Sequence, residues 1–244
     1  IQLWKSYVDN FSVLLISPEG VAIGPFQENM GSQRYRASGT ELLIYYGEPS
    51  PYSLVQEIYM DFLPVENYID SGIWKIRLTP EKITEGRYDL WLPAREERNQ
   101  DTYFYRPDPD TTLTIPSTAG KVISVGAYDS RLMTYASFSG RGYTRDGRNI
   151  KPDLSAPGVN IMTTAPGGGY APRTGTSFAT PFVSGSAALL MQWGLIDGRD
   201  PYLYGSKLKA YLLKGARPIP AVKTYPDQRL GYGVLCAEES LPRR

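Results

Sequence analysis

The chain has 244 residues, 41% apolar and 21% charged, with 26 Lys+Arg against 25 Asp+Glu and no histidine. That composition fits a globular protein of one large or two modest domains, and no internal repeat or low-complexity tract stands out. The basic residues are scattered and not clustered with aromatics, which argues against nucleic-acid binding, and no 18-residue apolar run predicts a membrane span. The single cysteine, Cys236, excludes an internal disulfide framework and reads as a small buried apolar residue. Residues 1–113 carry 10 Lys+Arg and 17 Asp+Glu, whereas residues 114–244 carry 16 and 8. This reversal suggests two units that attract each other, or two solvated surfaces of different history.

The chain opens Ile1-Gln2-Leu3-Trp4, with neither an initiator Met nor a signal-peptide pattern. It reads as the interior of a strand, with the expectation that upstream sequence has been removed. Phe11–Ser17, Glu41–Gly47, Gln56–Leu63, Ile73–Thr79 and Arg87–Leu92 are short and rich in β-branched and aromatic residues. Ser17-Pro18-Glu19-Gly20, Pro49-Ser50-Pro51 and Asp70-Ser71-Gly72 punctuate them as turns. Such spacing without a helical period predicts an antiparallel sandwich or jelly roll over residues 1–113. Trp74, Tyr88 and Trp91 read as core packing; a sugar-binding platform at Trp74 or Trp91 is the competing reading. Arg106-Pro107-Asp108-Pro109-Asp110 reads as a stiff linker closing this unit.

After Leu113 the texture changes. Lys121–Tyr128 is an apolar run consistent with a buried strand, and a Gly/Pro-rich stretch follows from Gly140 to Gly175. Ser177–Trp193 predicts a helix with no polar face, hence one buried all round, with Pro181 in its first turn. Roughly Ser206–Lys214 predicts a second helix with Leu208, Tyr211 and Leu212 on one face and Gly215 as its C-cap. Lys207, Lys209 and Lys214 lie mostly outside that face. The pattern describes an α/β domain, residues 114–244, with a β unit in front.

Gly175-Thr176-Ser177-Phe178-Ala179-Thr180-Pro181 carries the chemistry. A serine at a helix N-terminus sits where backbone N–H groups converge on the positive end of the dipole. An oxyanion forming there is stabilised, and the Ser177 N–H can donate to it. Gly175 permits the turn and close substrate approach, and Thr176 adds a hydroxyl beside the hole. The competing reading makes Thr176 or Ser177 a helix N-cap. A serine nucleophile also needs a base, and no imidazole exists in this chain.

Lys151-Pro152-Asp153-Leu154-Ser155-Ala156-Pro157-Gly158 followed by Gly175–Pro181 resembles the subtilisin-like serine proteases, the subtilases. In that family K-P-D-x-x-A-P-G precedes G-T-S-x-A-T/S-P, whose serine is the nucleophile. Lys121–Asp129 and Thr114–Ser117 resemble the strand and the segment that come before these motifs. Trp91-Leu92-Pro93, Arg106–Pro109, Thr112–Pro116, Tyr225-Pro226 and Gly231-Tyr232-Gly233 resemble the clostridial germination-protease branch, whose members carry a jelly-roll insertion.

The resemblance implies an α/β subtilisin-like fold. Residues 114–244 would be the C-terminal part of a parallel-sheet, three-layer domain, and residues 1–113 an antiparallel β jelly-roll insertion lacking its first part. It implies Ser177 as nucleophile with Gly175 and Thr176 supporting it, and a cis peptide at Ile115–Pro116. Tyr135 and Gly167, Gly168 and Gly169 lie in candidate pocket or rim loops, or in ordinary glycine-rich turns. The family order is Asp, His, oxyanion-hole Asn, then Ser, so only the last member falls within this chain. Phe182 stands where the family often has a non-catalytic histidine.

The implied protein is the C-terminal fragment of a serine endopeptidase, acting on protein or peptide substrates. It works when complemented by an N-terminal fragment that supplies His, Asp and Asn, with a propeptide as a further partner. The alternative is a pseudoprotease or scaffold that binds an active protease. Family members often bind calcium, but no dense carboxylate cluster of EF-hand type exists, so no cofactor or metal ligand is assigned. The implied localisation is secreted or spore-associated, in a bacterium.

Overall fold

The computed structural model describes residues 1–29, 31–48, 50–94, 97–145, 147 and 149–242; Pro49 of the expected Pro49–Pro51 turn lies outside them. The chain forms two compact units, Ile1–Tyr105 and Arg106–Arg244.

The first unit is antiparallel β. Its strands are β1 (Gln2–Ser6), β2 (Asn10–Ile16), β3 (Ala22–Phe26), β4 (Ser32–Ala37), β5 (Thr40–Tyr46), β6 (Val55–Pro64), β7 (Lys75–Lys82) and β8 (Tyr88–Trp91). Five form one sheet in the order β4-β5-β6-β1-β8, and three form another in the order β3-β2-β7. Alternation along β5 buries Leu42, Ile44 and Tyr46, and along β2 it buries Phe11, Val13 and Leu15. These residues share one core with Leu3, Ile58 and Met60, so the two sheets cover each other's apolar faces. β1 lies where the opening residues read as the interior of a strand, whereas β3 and β4 escape the sequence pattern because Gly24, Pro25 and the charged Arg34 and Arg36 interrupt it.

Aromatic residues divide between core and surface. Trp74 packs edge-on to Phe62 at 5.1 Å, and its indole N–H donates to Asp70 O at 3.0 Å. Tyr88 meets Phe11 edge-to-face yet stays half exposed, and Trp91 lies outside the core cluster. Asp9 closes the far end of the unit: its buried carboxylate accepts the backbone N–H groups of Thr84, Glu85 and Gly86 at 2.6–2.8 Å.

The second unit contains β9 (Val125–Asp129), β10 (Thr134–Tyr135), β11 (Leu154–Pro157), β12 (Ile161–Thr164) and β13 (Tyr170–Arg173). Its helices are α1 (Thr176–Met191), continued by a π turn at Gln192–Ile196, α2 (Gly205–Lys214) and α3 (Ala237–Ser240). β9 pairs parallel to β11 and antiparallel to β10, while β12 and β13 form a separate hairpin. Helix α2 buries Leu208 and Leu212 and ends on Gly215. Cys236 is only partly buried and caps α3, its carbonyl accepting the Ser240 N–H and hydroxyl. No helix among the described residues is long and apolar enough to cross a membrane.

Two expectations about α1 are corrected. Its apolar sequence predicts burial all round, but only Ala179, Val183, Ser186 and Leu190 are buried. β9, β11, α2 and α3 pack against this helix. The stripe running through Phe182, Gly185 and Leu189 faces outward, with Phe182 42% and Leu189 63% exposed. Pro181 is the sixth helical residue, not one of the first turn. Lacking an N–H, it leaves the carbonyl of Ser177, four residues earlier, without its helical donor.

Candidate active site

Gly175 precedes α1 with φ 156° and ψ 159°, a backbone region essentially reserved for glycine. That conformation delivers the chain into the helix with Thr176 first and Ser177 second. Neither hydroxyl caps the helix: Gly175 is the N-cap, it makes no side-chain cap hydrogen bond, and no acidic residue lies in the first turn. Among the described residues, the Ser177 hydroxyl has no hydrogen-bond partner, and the residue is exposed. A free hydroxyl therefore stands beside uncapped amides at the positive end of a 16-residue helix.

Gly158 joins the two halves of the motif. Its carbonyl accepts the Gly175 N–H at 2.8 Å, and a Cβ on it would come within 2.6 Å of the Ala127 methyl. Only glycine lets β9 and the start of α1 approach this closely. The Ala156-Pro157-Gly158 pattern holds this signal, although its packing role is evident only in three dimensions.

A cleft of about 380 Å³ borders the helix start. Thr176 and Thr180 form one side, and Thr114, Pro116, Ile123, Ser124 and Val125 belong to the other. Thr180 is tied down by donating to the Thr176 carbonyl at 3.1 Å. Ile115–Pro116, on the cleft's edge, is cis, as the family resemblance implied. The cleft lining is uncharged.

The rim candidates lie elsewhere. Tyr135 pairs with Tyr128 across β10 and β9, its hydroxyl donates to Ser139 O, and Arg141 stacks 5.1 Å from its ring centre. Gly167, Gly168 and Gly169 form the tip of the β12–β13 hairpin, all with positive φ. None of the four lines the cleft; of the motif, Thr176 and Thr180 line it, while Gly175 and Ser177 flank Thr176 in the chain. The motif brings Gly175, Thr176 and Ser177 together; Tyr135 and the three glycines do not join them.

A buried charge cluster lies behind the cleft wall. Lys151 and Asp153 are 1% and 2% exposed, and their ion pair measures 2.6 Å. Lys209, from α2, reaches the other Asp153 oxygen at 2.6 Å instead of facing solvent as its place on the helix suggests. Burial pushes the Lys151 ammonium below its ordinary pKa, with the Asp153 carboxylate opposing that shift.

The profile of the Subtilase family (peptidase S8) matches residues 99–233, more than half of the chain. The chain therefore belongs to the subtilase family, and its fold is subtilisin-like. Along 98% of its length it is similar to the CspB protease of Clostridium perfringens, with a TM-score of 0.89 and 38% identity. It covers 50% of that protein's chain. It is 35% identical over 155 residues to the serine protease AprX of Bacillus subtilis strain 168, covering 55% of this chain and 33% of AprX. It is 36% identical over 140 residues to the intracellular serine protease of Paenibacillus polymyxa, covering 56% and 38%. The chain thus spans half or less of these relatives. The match to CspB and the motifs place it in the Csp-like branch.

Proposed function

We propose that this chain carries the nucleophilic half of a serine endopeptidase active site. Ser177 Oγ attacks the scissile carbonyl, and the Ser177 N–H stabilises the resulting oxyanion. An imidazole takes the serine proton and returns it to the leaving amine, while a carboxylate holds that imidazole. With no histidine in residues 1–244, the imidazole, its carboxylate and an oxyanion-hole Asn come from an N-terminal fragment of the same protease. In subtilisin itself, loss of the histidine alone costs about 10⁶ in turnover.

The exposed hydroxyl on an uncapped helix start carries this reading. The outward apolar stripe of α1 supports the complement, because a helix with no polar face needs cover on both sides. The first unit is a jelly-roll insertion within the subtilase domain. Similarity to CspB across both units supports this, whereas the family profile begins only at residue 99. The working enzyme acts on proteins or peptides outside the cell or at the spore, which fractionating culture medium and spores checks.

The test uses the full-length protein and phenylmethylsulfonyl fluoride. Peptide mapping is expected to find the label on Ser177, and Ser177→Ala removes both label and peptide hydrolysis. A folded, unlabelled full-length protein favours the scaffold alternative.

A further inference from the structure

The Lys151–Asp153–Lys209 cluster makes more bonds to one short segment than an isolated ion pair needs. Lys209 Nζ forms an ion pair with Asp153 Oδ1 at 2.6 Å and donates to Val122 O at 3.0 Å and Gly120 O at 3.1 Å. Lys151 Nζ donates to Val122 O at 2.7 Å and to Asp153 Oδ2 at 2.6 Å. Asp153 Oδ2 also accepts the Ser124 N–H at 2.7 Å, and the Asp153 N–H returns to Ser124 O at 2.8 Å. All these bonds beyond the ion pairs fall on residues 120–124. Val122, Ile123 and Ser124 are part of the cleft wall facing Thr176 and Thr180.

Stability alone does not account for a buried and a partly buried cation sharing one buried anion, since apolar replacements of such groups are often neutral or stabilising. What charge-assisted bonds supply here is a fixed position for a segment with no regular secondary structure of its own. We infer that Lys209, together with Lys151 and Asp153, is a positioning residue. It holds the 120–124 wall at the distance from the first turn of α1 that a reacting peptide bond beside Ser177 requires. The inference rests on the proposed role of Ser177. Displacing a wall by about 1 Å can cost roughly 10²-fold in rate even when the reacting groups are intact.

Lys209 is the residue to change, because its loss leaves Asp153 still paired with Lys151. In the full-length protein, Lys209→Met is expected to lower kcat/KM on a peptide substrate at least roughly tenfold. Amide exchange quickens at residues 122–125, the thermal midpoint stays near that of the parent, and Lys209→Arg recovers most of the activity. Lys207→Met, on the same helix as Lys209, removes the pair with Asp200, serves as the control and leaves kcat/KM unchanged. Activity within about twofold of the parent overturns the proposal. So does a loss that follows a lowered thermal midpoint, with no local change in exchange and no recovery by Arg. A parent protein that phenylmethylsulfonyl fluoride leaves unlabelled overturns the nucleophile reading as well; a labelled parent with a fully active Lys209→Met variant overturns the positioning role alone.

Discussion

The position of Ser177 depends on the backbone of its neighbour. Gly175 has φ 156°, so a side chain there is strained even though an added Cβ would meet nothing closer than the Phe178 ring at 3.5 Å. Gly175→Ala is expected to cost about 1–3 kcal/mol through backbone strain. It also slows acylation of Ser177, as denaturant melts and labelling rates of the full-length protein show. The motif residues were legible in the sequence because their work is local: a glycine for the turn, a serine on the first helical turn. Lys209 was not, since its partners Asp153, Gly120 and Val122 are distant in the chain, and helical periodicity assigns it to solvent. Tyr135 and the three hairpin glycines fall outside the cleft lined by Thr176 and Thr180. A glycine-rich loop marks a turn, and only the fold decides whether that turn borders a cleft.

Helix α1 has two apolar stripes, and their separation defines what each can do. The Ala179, Val183, Ser186 and Leu190 stripe is used within the unit, while the Phe182 and Leu189 stripe is open. Phe182→Lys and Leu189→Lys are expected to change the stability of residues 1–244 by no more than about 0.5 kcal/mol, the usual range for surface positions. They weaken association with the N-terminal fragment, because covering the stripe then buries an unpaired charge. Melts of the chain alone and titration with the fragment separate the two effects. Periodicity revealed the helix but not its exposure, since a sequence without a polar face does not say which chain covers each side.

The loop tied by Asp9 in the β unit gives a pH-dependent outcome. Backbone N–H groups of Thr84 and Glu85 hold the Asp9 carboxyl below its ordinary pKa of 3.8, against some desolvation, with Gly86 and Lys5 adding to the lowering. A depressed folded pKa contributes stability that is present above about pH 4 and is lost as pH falls through the folded value. Asp9→Asn is expected to flatten the acid limb of the melting-temperature profile below pH 4 while lowering stability at neutral pH. An unchanged acid limb contradicts that assignment.

At the scale of the whole molecule, the β unit was readable from its alternation in β2, β5 and β6, while β3 and β4 were hidden by interrupting glycine, proline and arginine residues. The second unit was readable as α/β from one buried strand and two helices, and its family from two motifs that Gly158 and Gly175 bring into contact. The sequence holds no histidine, and in the proposed reading the base comes from the N-terminal fragment. The most direct measurement compares peptide turnover by residues 1–244 alone with turnover after a histidine-bearing N-terminal fragment is added. The account predicts that the lone chain is slower by about 10⁶ and that addition restores turnover dependent on Ser177. Comparable turnover by the lone chain, or restored turnover that survives Ser177→Ala, would contradict it.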